Sequence, residues 1–215
     1  DVLGRTYALY EERLKESGGL DFDDLLMLTV RLFERQPDVL AYYQELFHHI
    51  LIDEYQDTNR AQYRLVRLLT AKHRSLCVVG DDDQSIYKFR GADIANILNF
   101  ERDYPDAKVI KLEQNYRSTE NILGAASAVV SRNLGRKGKT LWTSRQGGDK
   151  ILCYTAVDEK DEARFICRTI DQLVDDGRSL HEIAMLYRTN AQSRALEDAL
   201  RNRGVPYRIF GGLRF

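Results

Sequence analysis

The stretch Ile50-Leu51-Ile52-Asp53-Glu54-Tyr55-Gln56-Asp57 decides the fold class of this chain. An uninterrupted aliphatic run is the pattern of a strand buried on both faces of a parallel sheet, and the C-terminal end of such a strand opens onto the ligand crevice. Two adjacent carboxylates are delivered there. An aspartate in that position can hold Mg²⁺, directly or through water, and the glutamate after it can take a proton from an attacking water. Alone the pair is weak evidence, since aliphatic runs ending in Asp-Glu are common at the exposed end of strands. The flanking stretches decide between the two readings.

On the N-terminal side, Asp21-Phe22-Asp23-Asp24 predicts the cap of a helix carrying Leu25, Leu26, Leu28, Val30 and Leu32, and a helix over 39–47 leads into a strand over 49–53. Further upstream, residues 1–17 have helical spacing at Leu3, Tyr7, Tyr10 and Leu14, with no cap expected at the start and a stop at Gly18-Gly19. On the C-terminal side, Asp57-Thr58-Asn59 predicts the cap of a helix carrying Tyr63, Leu65, Val66, Leu68 and Leu69. A strand over 75–79, a helix over 94–104 and a strand over 108–112 follow. The pattern restarts near Asn115: helix 118–133, a basic connection 135–148, strand 151–156, helix 159–174, strand 183–187, helix 191–203 and a short strand 207–210. Alternation of this kind predicts an α/β architecture in two successive units, with no internal repeat.

The 215 residues are 43% hydrophobic, enough for one large or two small cores. No run approaches the roughly 18 apolar residues that span a bilayer, and no leader pattern is present, so a cytoplasmic location and no membrane partner are expected. Cys77, Cys153 and Cys167 lack Cys-x-x-Cys spacing and sit among apolar neighbours, which predicts three buried, reduced thiols rather than a metal or disulfide framework. The net charge of −1, from 32 basic and 33 acidic residues, does not announce a nucleic-acid binder. Local charge is different: Arg132, Arg136, Lys137, Lys139, Arg145 and Lys150 face one acid, Asp149. That segment reads either as a phosphate-attracting surface or as a solvated loop.

Two further blocks carry chemistry. Gly80-Asp81-Asp82-Asp83-Gln84-Ser85-Ile86-Tyr87-Lys88-Phe89-Arg90-Gly91-Ala92 follows the second expected strand. Gln84 has an amide able to bond a γ-phosphate and a water together, and Tyr87 and Phe89 alternate with Lys88 and Arg90 in a manner suited to stacked bases and phosphates. For Tyr63 and Phe100, by contrast, core packing is expected. Gln114-Asn115-Tyr116-Arg117-Ser118 closes the third expected strand. Arg117 is permanently charged and could reach phosphate oxygens held by the first unit, or, were the block isolated, form a surface ion pair, and Tyr116 offers a flat face for adenine.

These three blocks together resemble superfamily 1 DNA helicases of the UvrD/PcrA/Rep family. Asp21-Phe22-Asp23-Asp24-Leu25, the stretch from Lys137 to Thr143 with Leu141-Trp142-Thr143, Tyr187-Arg188-Thr189-Asn190-Ala191-Gln192-Ser193-Arg194, and Pro206 through Gly212 resemble further family segments in order and spacing. The resemblance implies a P-loop NTPase fold of RecA-like motor domains. Residues 1–20 would end an inserted helical subdomain (1B-like), 21–114 would form the C-terminal part of the first motor domain (1A-like), and 115–215 the N-terminal part of the second (2A-like). It implies ATP and Mg²⁺ as cofactors. Asp53 would hold the metal, Glu54 would be the general base, Gln84 would couple the γ-phosphate to DNA contacts, and Arg117 would be the arginine finger. Tyr87, Arg90 and Tyr116 would lie by the nucleotide. Phe89, where the family usually has Trp, would stack on a base, and Arg188 and Asn190 would touch single-stranded DNA.

The family's phosphate-binding loop, Gly-x-x-x-x-Gly-Lys-Ser/Thr, does not occur in the sequence, and Gly135-Arg136-Lys137-Gly138-Lys139-Thr140 lacks its first glycine and its preceding strand. The resemblance therefore implies the central part of a 3′–5′ helicase acting on single-stranded DNA and single-strand/duplex junctions in repair or replication, with proteins of those processes as partners. The alternatives are a non-hydrolysing module that binds single-stranded DNA or protein, and part of a helicase-nuclease subunit.

Overall fold

The computed structural model describes residues 1–133 and 135–210. The chain divides into two compact units, Asp1–Asp149 and Lys150–Phe215. Residues 115–149 lie in the first unit, where Gln114 pairs with Trp142 in a parallel bridge and Arg136 is bonded to Asp83.

In the first unit, α1 (Val2–Glu16) has no buried residue, and its first amides are capped by the Asp1 carboxylate, which accepts from Leu3 N. A cap is thus present where none was expected. Asp21 and Asp24 form the reciprocal capping box that opens α2 (Phe22–Arg35), whose Val30 and Phe33 are buried. Helix α3 (Pro37–Leu46) starts on a proline, already fixed near helical φ. It is tied to α4 (Arg60–Thr70) by Gln44 Nε2, which donates to Leu68 O at 2.8 Å.

Strand β1 (Ile50–Ile52) and strand β2 (Leu76–Val78) are parallel, with Ile50 opposite Leu76 and Ile52 opposite Val78, and α4 is the crossover between them. Their pairing continues past both strand ends. Ile50 N donates to Ser75 O at 3.0 Å, and Val79 N and Tyr55 N extend the ladder through Ile52 O and Val79 O. Beneath the C-terminal ends, Tyr55 is fully buried, edge-on to Phe100, which stacks on Tyr104 at 4.8 Å. Tyr63 donates its hydroxyl to Asp103 at 2.8 Å. Instead of one helix over 94–104 there are two short ones, α5 (Ala95–Leu98) and α6 (Phe100–Asp103), separated at Asn99, whose ψ of 4° has left the helical basin. Helix α7 (Glu120–Val130) completes the unit.

In the second unit, α8 (Glu159–Asp175), capped by Asp158, packs on α9 (Ser193–Asn202) around Cys167, Ile170 and Leu200. Ile166, Leu180, Ile183, Met185, Val205 and Tyr207 close over this core.

Among the described residues β1 and β2 are the only strands of a sheet. The segments 108–112, 151–156, 183–187 and 207–210 run without ladder hydrogen bonds, contrary to the expectation of strands. Strand-forming side chains set a preference, but a strand exists only where a neighbouring backbone takes its N–H and C=O groups. Among the described residues these segments have no ladder partner, and Leu112 and Leu186 are 79% and 92% exposed. The same bareness affects one face of β1 and β2. Leu51 and its register partner Cys77 both point outward, so Cys77 is exposed, as is Cys153 on its unpaired segment; only Cys167 is the buried thiol expected of all three.

Candidate nucleotide-hydrolysis site

The two parallel strands deliver their acidic sequences at the same edge. After Ile52, Asp53 and Glu54 are exposed, and Glu54 takes a left-handed conformation at φ 51° and ψ 42° before the 3₁₀ turn Tyr55–Asp57. For a residue with a Cβ this costs about 1–3 kcal/mol and persists only where the surroundings hold it. Here the holding contacts are visible. Asp53 Oδ1 accepts from Glu54 N at 2.9 Å, Tyr55 N is fixed on Val79 O, and Glu54 Oε2 accepts from Gln56 Nε2 at 2.7 Å.

Gln56, almost fully buried, joins the two strand ends. Its Nε2 donates to Glu54 while its Oε1 accepts from Asp81 N at 2.9 Å, and its backbone oxygen accepts from Ser85 Oγ at 3.4 Å. Gly80 makes this crossing possible: a Cβ there would stand 2.7 Å from Gln56 Oε1 and 2.8 Å from Ile97 Cδ1. The sequence reading passed over Gln56, and its one available signal was an amide placed between two acids of the motif.

Asp57, at the end of the same turn, has Oδ1 buried with no hydrogen-bond partner, and burial followed by the charge of Glu54 raises its carboxyl above the usual range. Asp81 is the reverse. Burial pushes its carboxyl up, but hydrogen bonds from Lys139 and Gln84, the Lys139 charge and the Asp83 amide outweigh burial and hold it below the ordinary value.

The segment after α7 supplies those cations. Arg136 donates to Asp83 through Nε at 3.0 Å and Nη2 at 2.6 Å, a bidentate fork onto a carboxylate that is 4% exposed. Lys139 pairs with Asp81 and lies 3.6 Å from Asp83, Lys137 pairs with Glu101, and Lys137 N donates to Asp82 Oδ2 at 2.9 Å. This part of the basic segment is therefore neither a free phosphate surface nor a solvated loop, because its charges are matched by acids of the first unit. Continuing, Trp142 N donates to Glu113 O, Asn115 N donates to Trp142 O at 2.7 Å, and Thr143 Oγ1 donates to Ser118 O at 3.0 Å. The block 114–118 is thereby linked through one strip of chain to the block 80–92.

The remaining candidates fall as follows. Gln84, exposed in the 3₁₀ turn Asp82–Gln84, donates Nε2 to Asp81 Oδ2 at 2.8 Å. Arg90 lies over the rings of Tyr87 and Phe89, 5.1 Å and 5.6 Å from their centroids, so these three form one cation–π cluster with Phe89 68% exposed. The cluster is anchored by Asp93 N and Asn96 Nδ2, which both donate to Thr58 O. Tyr116 is 75% exposed and donates its hydroxyl to Gln114 Oε1. The backbone of Arg117 is set by Asn115 Oδ1, which accepts from Arg117 N and Ser118 N, and among the described residues no acid forms an ion pair with its guanidinium. Arg188 and Asn190 belong to the second unit, at a turn where Gln192 Oε1 accepts from Arg188 N and Thr189 N at 3.0 Å. Gly211 and Gly212 of the last matching segment lie outside the described residues.

No helix among the described residues is long and apolar enough to cross a membrane. The UvrD/REP helicase N-terminal domain matches residues 1–105, and the UvrD-like helicase C-terminal domain matches residues 110–215. A protein described as ATP-dependent DNA helicase PcrA from Staphylococcus epidermidis is 54% identical over 214 residues, and one of the same description from Staphylococcus aureus is 53% identical over 214 residues. Each alignment covers 100% of this chain and 29% of the relative, so the chain spans less than a third of the length of these proteins.

Proposed function

This chain belongs to the UvrD/REP family of helicases, and from that premise we propose that it forms the central part of an ATP-dependent 3′–5′ DNA helicase. The family carries a P-loop NTPase fold. We assign residues 1–20 to the end of an inserted subdomain, 21–114 to the later part of the first RecA-like motor domain and 115–215 to the early part of the second. The observation that carries the reading is the crossing at Gln56, which couples the Asp53-Glu54 strand end to the Asp81–Gln84 turn. A hydrolase that must relate attacking water to γ-phosphate needs such a link.

In this reading Glu54 accepts the proton of the attacking water, held in position by its left-handed backbone and by Gln56. Gln84 exchanges its bond to Asp81 for the γ-phosphate. Arg117, whose backbone is fixed by Asn115, places its charge on the phosphate oxygens, and Tyr87, Arg90 and Tyr116 line the nucleotide. Phe89 stacks on a DNA base, and Arg188 and Asn190 contact the single strand. The residues fit a divalent cation by donor chemistry, since Asp53 and Asp57 present hard oxygens and the unpartnered Asp57 Oδ1 sits beside Glu54. Asp53 would hold Mg²⁺, which when bound would neutralise phosphate charge. The partners in this proposal are single-stranded DNA, its junctions with duplex, and repair or replication proteins, in the cytoplasm.

The test is Glu54→Gln in the whole helicase. DNA-stimulated ATP hydrolysis should fall by about 10²–10⁴-fold, the usual worth of a positioned base, while ATP binding persists. Hydrolysis at the parent rate would remove Glu54 from the role. The 215-residue chain, whose sequence has no phosphate loop, should bind no ATP and hydrolyse none.

A further inference from the structure

The candidate hydrolysis site occupies the C-terminal ends of β1 and β2. The opposite ends of the same two strands carry a second cluster of ligating side chains. Glu45, in the last turn of α3, His48, in the connection from α3 to β1, and His73, in the connection from α4 to β2, bring a carboxylate oxygen and two imidazole nitrogens within 4.8 Å of one another. The two imidazoles stack, with centroids 4.6 Å apart and planes inclined by 17°.

These connections are held together independently of the cluster. His49 Nδ1 lies 2.7 Å from Ser75 Oγ, and Ile50 N donates to Ser75 O at 3.0 Å, so His48 and His73 are brought side by side by the strand register itself. His49 is engaged in that link and is not one of the three clustered ligands. Glu45 is paired with Lys72, the residue beside His73.

We propose that Glu45, His48 and His73 form a binding site for a divalent transition metal of the zinc type, one that staples the α3–β1 and α4–β2 connections. Two imidazoles and one carboxylate suit Zn²⁺ and its neighbours in the first transition row, whereas Mg²⁺ takes oxygen shells and retains water. With Zn–N and Zn–O bonds of about 2.0–2.2 Å, tetrahedral ligands stand about 3.4 Å apart, so the three side chains must draw inward. They are free to do so by rotation, since Glu45 and His48 are exposed and His73 half-buried. The metal takes Glu45 from Lys72, leaves a fourth position to water, and stabilises the first unit by mass action because the unfolded chain has no preformed site.

The experiment is titration of the 215-residue chain with ZnCl₂, reading thermal unfolding by circular dichroism, and with CoCl₂, reading visible absorption. Saturable binding at one equivalent, a Tm rise reversed by EDTA, no response to MgCl₂ and a Co²⁺ spectrum of nitrogen-containing four-coordination are expected. His48→Ala and His73→Ala should each weaken zinc binding by at least about 100-fold, the upper end of what losing an outer-shell partner costs. His181→Ala, in the second unit, should leave binding unchanged, and Lys72→Met should tighten it by freeing Glu45. Parent-like zinc affinity in both His48→Ala and His73→Ala, an equal loss in His181→Ala, or no saturable binding in the parent chain would overturn the proposal. The Co²⁺ spectrum tests the ligand set without any variant, and an all-oxygen spectrum would also overturn it.

Discussion

Substituting Gln56→Leu removes the crossing at nearly constant volume, and its cost follows from the two bonds lost. Asp81 N, partly buried, loses its acceptor at 2.9 Å, and an orphaned amide costs about 1–3 kcal/mol. Glu54 loses a donor at 2.7 Å, but it is exposed and water replaces that bond, so the loss is about 1 kcal/mol or less. The left-handed backbone of Glu54 also loses one of its restraints. The sum is about 3 kcal/mol, or about a hundredfold in the unfolding equilibrium at 1.4 kcal/mol per tenfold. The single tryptophan, Trp142, lies in the first unit, so its fluorescence during urea titration reports that unit alone. With m near 2 kcal/mol/M, the midpoint should fall by about 1.5 M. A midpoint within about 0.3 M of the parent, at unchanged m, would mean that the strand ends are held by backbone pairing and that Gln56 is a bystander.

Acid should act on the same unit through Asp81. Its carboxyl is lower in the folded state than its ordinary 3.8, so the stability it contributes is fully present above pH 3.8 and is lost as pH falls through the lower folded value; Asp81→Asn should flatten the Trp142-monitored stability in that window, and an unchanged acid limb would contradict the assignment. Arg136→Ala removes the bidentate partner of the buried Asp83 carboxylate, leaving Lys139 at 3.6 Å as its remaining cation, and should destabilise the first unit more than Lys137→Ala does at its exposed pair with Glu101; equal effects in urea titration would refute the distinction. Glu54→Gly should stabilise the unit by about 1 kcal/mol through relief of the left-handed strain while abolishing hydrolysis in the whole helicase, and a loss of stability would show the backbone there to be unstrained.

Capped helices were legible because their signals are local. Asp21 with Asp24 and Asn59 with Gln62 each announce a helix start within four residues, and the structure forms both boxes. The strands expected at 108–112 and after Asn115 were not legible in the same sense: aliphatic runs such as Val109-Ile110 carry the preference, while the partner backbone that makes a strand is not encoded beside them. The basic segment failed for a related reason. Its charge was plain, but the acids that neutralise Arg136 and Lys139 lie 53 and 58 residues upstream, a separation at which no local pattern pairs charges. Candidate site residues stood out where an unusual residue mixture had few structural explanations, as in the block from Gly80 to Ala92. Gln56 escaped because a buried amide in a short turn resembles any satisfied core polar group until both of its partners are seen.

The strain at Glu54 and the saturation of Asp81 bear on the same chemical problem. A general base must be exposed to water yet fixed in direction, and a long, flexible glutamate on a relaxed backbone is exposed without being fixed. In the role proposed for Glu54, the left-handed turn would aim the side chain, and Gln56, which donates one hydrogen bond to its carboxylate, would leave the other oxygen to accept a proton. Gln56 spends its remaining acceptor on the Asp81 amide, and Asp81 in turn holds Gln84 and Lys139. In the proposed mechanism a displacement of Gln84 toward a phosphate would remove a bond from Asp81, whose amide is the group that positions Gln56 against Glu54, the proposed base. The consequence is directional: changes at the Asp81–Gln84 turn should alter the aim of Glu54, whereas neutralising Glu54 leaves Gln56 bonded to Asp81 and the turn in place.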